Sequence, residues 1–451
     1  MSSARLSIST IASQIRSGQT SPTQLVDDCL ARIAAHEQQI RAWVVVDEER
    51  AKKAAQQATE ELAAGKDRGP LHGVPLGIKD IIDVTGLPTT AGSPLRHHRI
   101  ALEDAPLVAR LREAGAILLG KTVTTEFACY DPPPTRNPWN LQHTPGGSSS
   151  GSAAATALGM CWGAIGTQTG GSITRPASFC GVASCKPTLG LISTHGVVPV
   201  SHTLDHPGPL AGCVADVALL LEALRPGLLP ASLVSGQSLA GPPHLLWLTD
   251  FWEQADPDAQ QLGEQSYQTL LQAGWQIEQH TTPLGLANVW QMHRRIMAFE
   301  AADYHRQPFA EQPESYGPAM HTLLAEGLAL PTSAYLEALS FRRQFQAACE
   351  ELLARTPQTC LVTPAALGAA TARLDTTGDP RFNSPWSLAG LPTVSFPCGL
   401  TSTGMPISLQ WVAAWWHEPW LISGAMLAES LFNIQMPWPT LENQAHNSQN
   451  N

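Results

Sequence analysis

Residues 146–176 read GGSSSGSAAATALGMCWGAIGTQTGGSITRP. Two glycine pairs stand 24 positions apart in this stretch, each followed by a serine: Gly146-Gly147-Ser148 and Gly170-Gly171-Ser172. Between them lie a small-residue helical run, Ser152–Leu158, and a short apolar run, Gly163–Thr167. The order is therefore turn, helix, strand, turn. No Lys, Arg, Asp or Glu occurs from Asn137 to Thr174. Glycines, serines and Gln168 interrupt the stretch too often for a membrane span.

The same alternation extends in both directions. Apolar runs at Val74–Ile82 and Ala116–Leu119 read as strands, and Pro106–Glu113 and Ala215–Leu224 read as helices. Further strands are expected at His244–Leu248, Leu361–Pro364, Thr393–Pro397 and Ile407–Val412. Strands alternating with helices argue an α/β fold with a buried sheet. Upstream, Ser21-Pro22-Thr23-Gln24 has the form of a helix start, with a capping serine and a first-turn proline. Residues 48–64 read as an exposed helix that Gly65 stops. Residues 226–243 read as a connection, and 256–354 as a helical excursion. The expected organisation is N-terminal helices over residues 1–66 packed on one α/β domain, 67–442. A Gln/Asn-rich tail, 443–451, is expected to be disordered.

Composition narrows the function. Of 451 residues, 43% are hydrophobic and only 14% charged, which points to a large buried core. The net charge of −11 comes with no Lys/Arg cluster, which excludes a nucleic-acid partner. Nine scattered cysteines form no CxxC pair and read as reduced thiols in a cytoplasmic protein. The fifteen histidines make no HExxH motif, and neither a metal nor another cofactor is expected.

A nucleophilic serine needs a proton acceptor. In Gly73-Val-Pro-Leu-Gly-Ile-Lys79-Asp80 a lysine ends an apolar run, so burial is expected, and burial disfavours the charged amine. Such a lysine can serve as a general base near neutral pH. The Ala-rich helix after Ser148 turns its N-terminal dipole toward that loop. Gly170-Gly171 lets the chain turn tightly and aim consecutive N–H groups at one point, as an oxyanion requires, with Ser172 at its end. Gly147-Ser-Ser-Ser-Gly151 also fits G-x-S-x-G, but a loop rather than a core strand precedes it, which argues against Ser149 as an elbow nucleophile.

Five segments carry a resemblance: GVPLGIKD (73–80), KTVTTEFA (121–128), TRNPWNLQHTPGGSSSGSAAA (135–155), GTQTGGSITRPASFCGVASCKPT (166–188) and FNSPWSLAGLPTVSFPCG (382–399). On these the chain resembles the amidase signature family. The resemblance implies an α/β/α sandwich around a large mixed twisted sheet, and a Ser–cis-Ser–Lys triad. Lys79 falls on the family's lysine, Ser148 on its bridging, substrate-facing serine after a cis Gly147–Ser148 peptide, and Ser172 on its nucleophile. The oxyanion donors fall on the backbone N–H groups of Thr169, Gly170, Gly171 and Ser172. The family often forms homodimers, so a homodimer is one expected assembly, and the implied substrate is a small-molecule amide.

Two positions depart from the family pattern. Gln168 stands where Asp is common, and Thr174 where Arg is common, with Arg175 one place later. Losing the Asp would help to keep Lys79 neutral. The implied activity is amide hydrolysis through an acyl-enzyme on Ser172. One alternative is the ammonia-releasing subunit of a glutamine-dependent tRNA amidotransferase. That subunit usually has Asp-x-Phe-Thr before LAGLP, where this chain has Pro380-Arg381-Phe382-Asn383, with Asp379 one place off. The other alternative is a catalytically inactive binding member. Pocket walls are expected from 290–345 and from Tyr130, Phe382 and Trp386.

Overall fold

The apolar run after Gly73 becomes a strand, Pro75–Lys79, whose five residues are all buried. It lies between two parallel neighbours near one end of an eleven-stranded sheet in the computed structural model, which describes residues 5–239, 241–434, 436–439 and 441. The strands are β1 Trp43–Val46, β2 Pro75–Lys79, β3 Ile117–Thr122, β4 Gly163–Gln168, β5 Ala183–Lys186, β6 His206–Ala211, β7 Leu245–Leu248, β8 Ile277–His280, β9 Cys360–Pro364, β10 Thr393–Leu400 and β11 Pro406–Val412. Their order is β1-β3-β2-β4-β6-β5-β10-β11-β9-β7-β8. β2 pairs in parallel with β3 and β4, and β7 with β8 and β9; the remaining pairs are antiparallel, so the sheet is mixed.

Helices cover both faces, as β4 shows. A methyl built on Gly163 would meet Leu220 of helix Val214–Leu224, whereas one built on Gly166 would meet Ser149, which caps helix Ser150–Ala157. Odd and even residues of a strand point to opposite faces, so the two helices sandwich the strand. Lys79 closes β2 and the turn bearing Ser172 follows β4, at the carboxyl ends of adjacent parallel strands, where α/β sheets characteristically open a crevice.

The N-terminal part forms as its capping signals dictate. Ser21 accepts from the Gln24 N–H and starts helix Pro22–Ile40, and helix Glu48–Ala63 ends before Gly65. It also supplies an unforeseen strand, because β1 pairs with β3 at the sheet edge. β5, β6 and β8 were likewise not expected. The connection at 226–243 contains one short helix, Ala231–Val234. In the excursion, helix Leu286–Tyr304 packs against helices Pro318–Ala329 and Thr332–Leu353 and reaches the site. The expected tail, 443–451, lies outside the described residues. Among those described, no helix is long and apolar enough to cross a membrane.

Candidate active site

Lys79 is the last residue of β2 and is completely buried. Its Nζ lies 2.7 Å from Ser148 Oγ, 2.8 Å from Thr167 Oγ1 and 3.4 Å from the Thr167 carbonyl oxygen. Burial pushes the amine down to about 7, with the charges of Asp205 and Cys129 acting in the opposite direction. A neutral amine has two hydrogens and one lone pair. The carbonyl can only accept, so satisfying all three neighbours requires one of the two hydroxyls to donate into the lone pair. When Ser148 is that donor, its oxygen is primed to take a proton from elsewhere.

Asp80, next along the chain, points away from this amine. It accepts from Lys121 at 2.9 Å in a fully buried ion pair.

Ser148 follows a cis peptide at Gly147–Ser148. The Gly147 carbonyl accepts from Arg175 Nη2 at 2.8 Å, and the Gly146 carbonyl from Ser150 Oγ at 2.6 Å. Ser172 lies on the turn after β4, and its carbonyl accepts from the Ser149 N–H at 3.2 Å, which ties the two serine turns together. Both serines line one pocket, with Thr169, Gly170, Gly171, Arg175, Tyr130, Met297 and Thr377 among its walls. Among the described residues no hydrogen bond joins the two serine hydroxyls. Such contacts are often loose before substrate binds. Ser149, the elbow alternative, is fully buried and bonds the Thr167 backbone.

Carbonyl anchoring orients the turn after β4. The Thr169 carbonyl oxygen receives His293 Nε2 at 2.9 Å, and the Gly170 carbonyl oxygen receives Ser387 Oγ at 2.9 Å. In a planar trans peptide the N–H points opposite the C=O. Holding these two carbonyls therefore turns the Gly170 and Gly171 N–H groups the other way. Among the described residues the backbone N–H groups of 169–172 donate to no protein acceptor. His293 must be the donor to a carbonyl, and burial keeps its ring neutral by pushing it down to about 4.

Asp205 completes the support. It accepts from Thr169 Oγ1 at 2.5 Å and from the N–H groups of Val200 and Ser201. Burial raises its carboxyl to about 6 against those hydrogen bonds. The carboxylate acting on Lys79 thus comes from outside the uncharged stretch. Asp205 is the one charged residue between Lys186 and Asp216, and that isolation was its signal in the sequence. His293 carried no local signal; Ser387 lies in the quoted segment 382–399, where nothing set it apart from its neighbours.

Of the two departures, the one at Gln168 has a structural reading. Gln168 Oε1 accepts from the N–H groups of Ile173 and Thr174 at 2.9 and 3.0 Å, and its amide nitrogen donates to Ser387. A neutral amide thus braces the turn. Replacing Gln168 by Leu leaves two buried N–H groups without acceptors, an expected cost of about 2–5 kcal/mol. Denaturant unfolding measures it; an unchanged midpoint would mean that water takes over. Thr174 Oγ1 is buried without a partner, and nothing in the structure explains that hydroxyl. Two expected wall residues are misplaced: Phe382 and Trp386 are core side chains packed on Phe251, not pocket walls.

The Amidase family model matches residues 24–422 of this chain. The chain belongs to the amidase family. An amidase of Pseudomonas putida is 35% identical over 89% of this chain and 91% of its own length. A glutamyl-tRNA(Gln) amidotransferase subunit of Cyanothece is 32% identical over 90% of this chain and 93% of its own. Among solved structures, the native peptide amidase of Stenotrophomonas maltophilia superposes with a TM-score of 0.82 at 28% identity, covering 97% of this chain and 99% of the other. The amidase fold expected from the sequence is the one observed.

Proposed function

We propose that this amidase-family chain hydrolyses a carboxylic amide to an acid and ammonia or an amine through an acyl-enzyme on Ser172. The contact that carries the reading is the short one between buried Lys79 and Ser148, in the pocket that Ser172 also lines. Neutral Lys79 takes the Ser148 proton, and Ser148 takes the Ser172 proton. Ser172 Oγ bonds to the amide carbon, and the oxyanion is held by N–H groups of the 169–172 turn. The proton then returns through Ser148 to the leaving nitrogen as the C–N bond breaks. Water adds to the acyl carbon by the same relay and frees Ser172. Each donor to an oxyanion contributes about 10²–10³ in rate, so anchoring this turn matters as much as the relay.

A panel of amides and esters, read by ammonia or amine release and paired with fluorophosphonate labelling, tests the reading. Turnover with label on Ser172 is expected. An unlabelled Ser172 with no turnover would favour the inactive binding member. The amidotransferase alternative would need an acid free to hold a substrate amino group. Asp379, the nearest candidate in sequence, is committed to Arg381 at 2.6 Å. Copurification with a second polypeptide would restore that alternative.

A further inference from the structure

The two serine turns are built alike. Ser148 stands two residues before helix Ser150–Ala157, and Ser172 two residues before helix Thr174–Cys180. The two helices pack against each other. Their near ends are joined by the backbone bond from Ser149 to Ser172 and by Arg175, which lies on the second helix and holds the Gly147 carbonyl. Their far ends are joined as well, by one side chain. Arg5 Nη2 donates to the Ala157 carbonyl at 2.9 Å, and its Nη1 to the Gly181 carbonyl at 3.2 Å. Ala157 is the last residue of the first helix, and Gly181 caps the second.

A guanidinium suits that place. Carbonyls at a helix C-terminus have no partner within the helix and form its negative end, so a cation is favoured there. Burial pushes Arg5 down to about 10, which leaves it charged at neutral pH. Its hydrogen-bond partners are three carbonyl oxygens, those of Ala157, Gly181 and Pro437, and no carboxylate pairs with it among the described residues. The guanidinium also lies 5.0 Å from the centre of the Trp438 ring. Ile8, three residues on, is fully buried and donates its N–H to Asp216 at 2.8 Å, which fixes the segment that carries Arg5. Arg5 and Trp438 both lie outside residues 24–422, so the bridge reaches the matched family core from outside it.

A helix of eight residues is a lever of about 12 Å. Ties at the near ends set how close the two serine turns come, but leave the angle between the helices to packing alone. A tie across the far ends fixes that angle. We propose that Arg5 is a positioning residue for the proton relay: by clasping the far ends of the two helices it holds Ser148 in register with Ser172. Arg5 lies outside the pocket and touches neither serine. This rests on the amidase reading above and adds a remote determinant of its rate.

The test measures kcat per active site, counted by fluorophosphonate labelling of Ser172 taken to completion, well below the melting temperature. Arg5→Ala is expected to lower kcat about ten- to a hundredfold with KM changed less than about threefold, because misplacing reacting groups by about 1 Å costs on that order. Arg32→Ala is the control. Arg32 lies over the same Trp438 ring and donates at 3.3 Å to the Leu158 carbonyl, so it holds the end of the first helix only. That variant should lose melting temperature and keep the wild-type kcat. Methylguanidinium, at concentrations too low to unfold the protein, should restore part of the lost kcat in Arg5→Ala, since Arg5 lines a cavity with Arg32, Trp162 and Trp438 that gives the ion room. Should Arg5→Ala not fold, Arg5→Lys carries the same expectation at about threefold or more, because the charge remains but the planar fork that spans both carbonyls is lost. Wild-type kcat in the Arg5 variants, with only the melting temperature lowered, would overturn the proposal and leave the amidase reading standing. An equal fall in kcat in Arg32→Ala would overturn it too, because general loosening of this end would then suffice. A wild-type chain that hydrolyses no amide and leaves Ser172 unlabelled would remove both.

Discussion

Replacing Ser172 by alanine is expected to lower kcat/KM for amide hydrolysis by about 10⁴–10⁶-fold, the scale seen when a nucleophile that acts as part of a unit is removed. The fold should be almost unaffected. Among the described residues Ser172 Oγ has no hydrogen-bond partner, and the backbone carbonyl that ties this turn to Ser149 is kept. Steady-state ammonia release, with thermal unfolding as control, measures both. The variant should also lose covalent fluorophosphonate labelling. Activity within tenfold of wild type would sink Ser172 as the nucleophile. Because the turn's N–H groups survive the substitution, the variant should still bind substrate.

The second large effect is expected at Lys79. Its amine is pushed down to about 7 by burial, so the free base that the relay needs increases as pH rises through 7. Wild-type kcat/KM should fall about tenfold per pH unit below that point and level off above it. Lys79→Met should cost about 10³–10⁴ in kcat/KM and abolish that limb. A limb that persists unchanged in the variant would assign it to another group. Stability is expected to rise with pH as well. The unfolded lysine titrates near 10.5, so between 7 and 10.5 the unfolded chain holds a proton that the folded one lacks. Burying the lysine therefore weakens the fold more and more as pH falls from 10.5 to 7. Lys79→Met should consequently gain more melting temperature relative to wild type at pH 6 than at pH 10. The reverse order would contradict a depressed lysine.

Lys79 was legible in the sequence because it closes an apolar run, yet burial alone does not single it out. Lys186 at the end of β5 is also fully buried and pushed to about 7, but its short contacts are to the carbonyls of Leu391 and Pro187. Lys121 is buried too, and is held in an ion pair with Asp80. Of these three, Lys79 is the one that meets a serine hydroxyl and is paired with no carboxylate. The glycine–serine turns were readable because turn chemistry is local. Asp205, His293 and Ser387, which anchor the turn, come from three distant segments as single polar residues, and no periodicity marks them.

The missed strands have physical reasons. β6 reads His206-Pro-Gly-Pro-Leu-Ala, and prolines normally argue against a central strand. Pro207 and Pro209 are alternate residues, so both missing N–H groups lie on one side of the strand while the donors on its other side remain. β1 and β8 are four-residue edge strands, too short and too polar in β8 to display alternation.

The nine cysteines have a use beyond packing. All are free thiols; eight are buried and Cys213 is half-buried, and burial raises every one above its ordinary value. A thiol kept protonated and covered does not react with alkylating reagents until its surroundings open. The nine are distributed over helix Pro22–Ile40, the approach to β4, the helix after Ser172, β5, β9, β10 and the excursion helix Thr332–Leu353, among other places. Pulsed alkylation followed by peptide mapping would thus time the opening of each region in the unmodified chain. Cys180 would report on the turn that carries Ser172, and Cys349 on the helix that packs against Leu286–Tyr304, without a single engineered label.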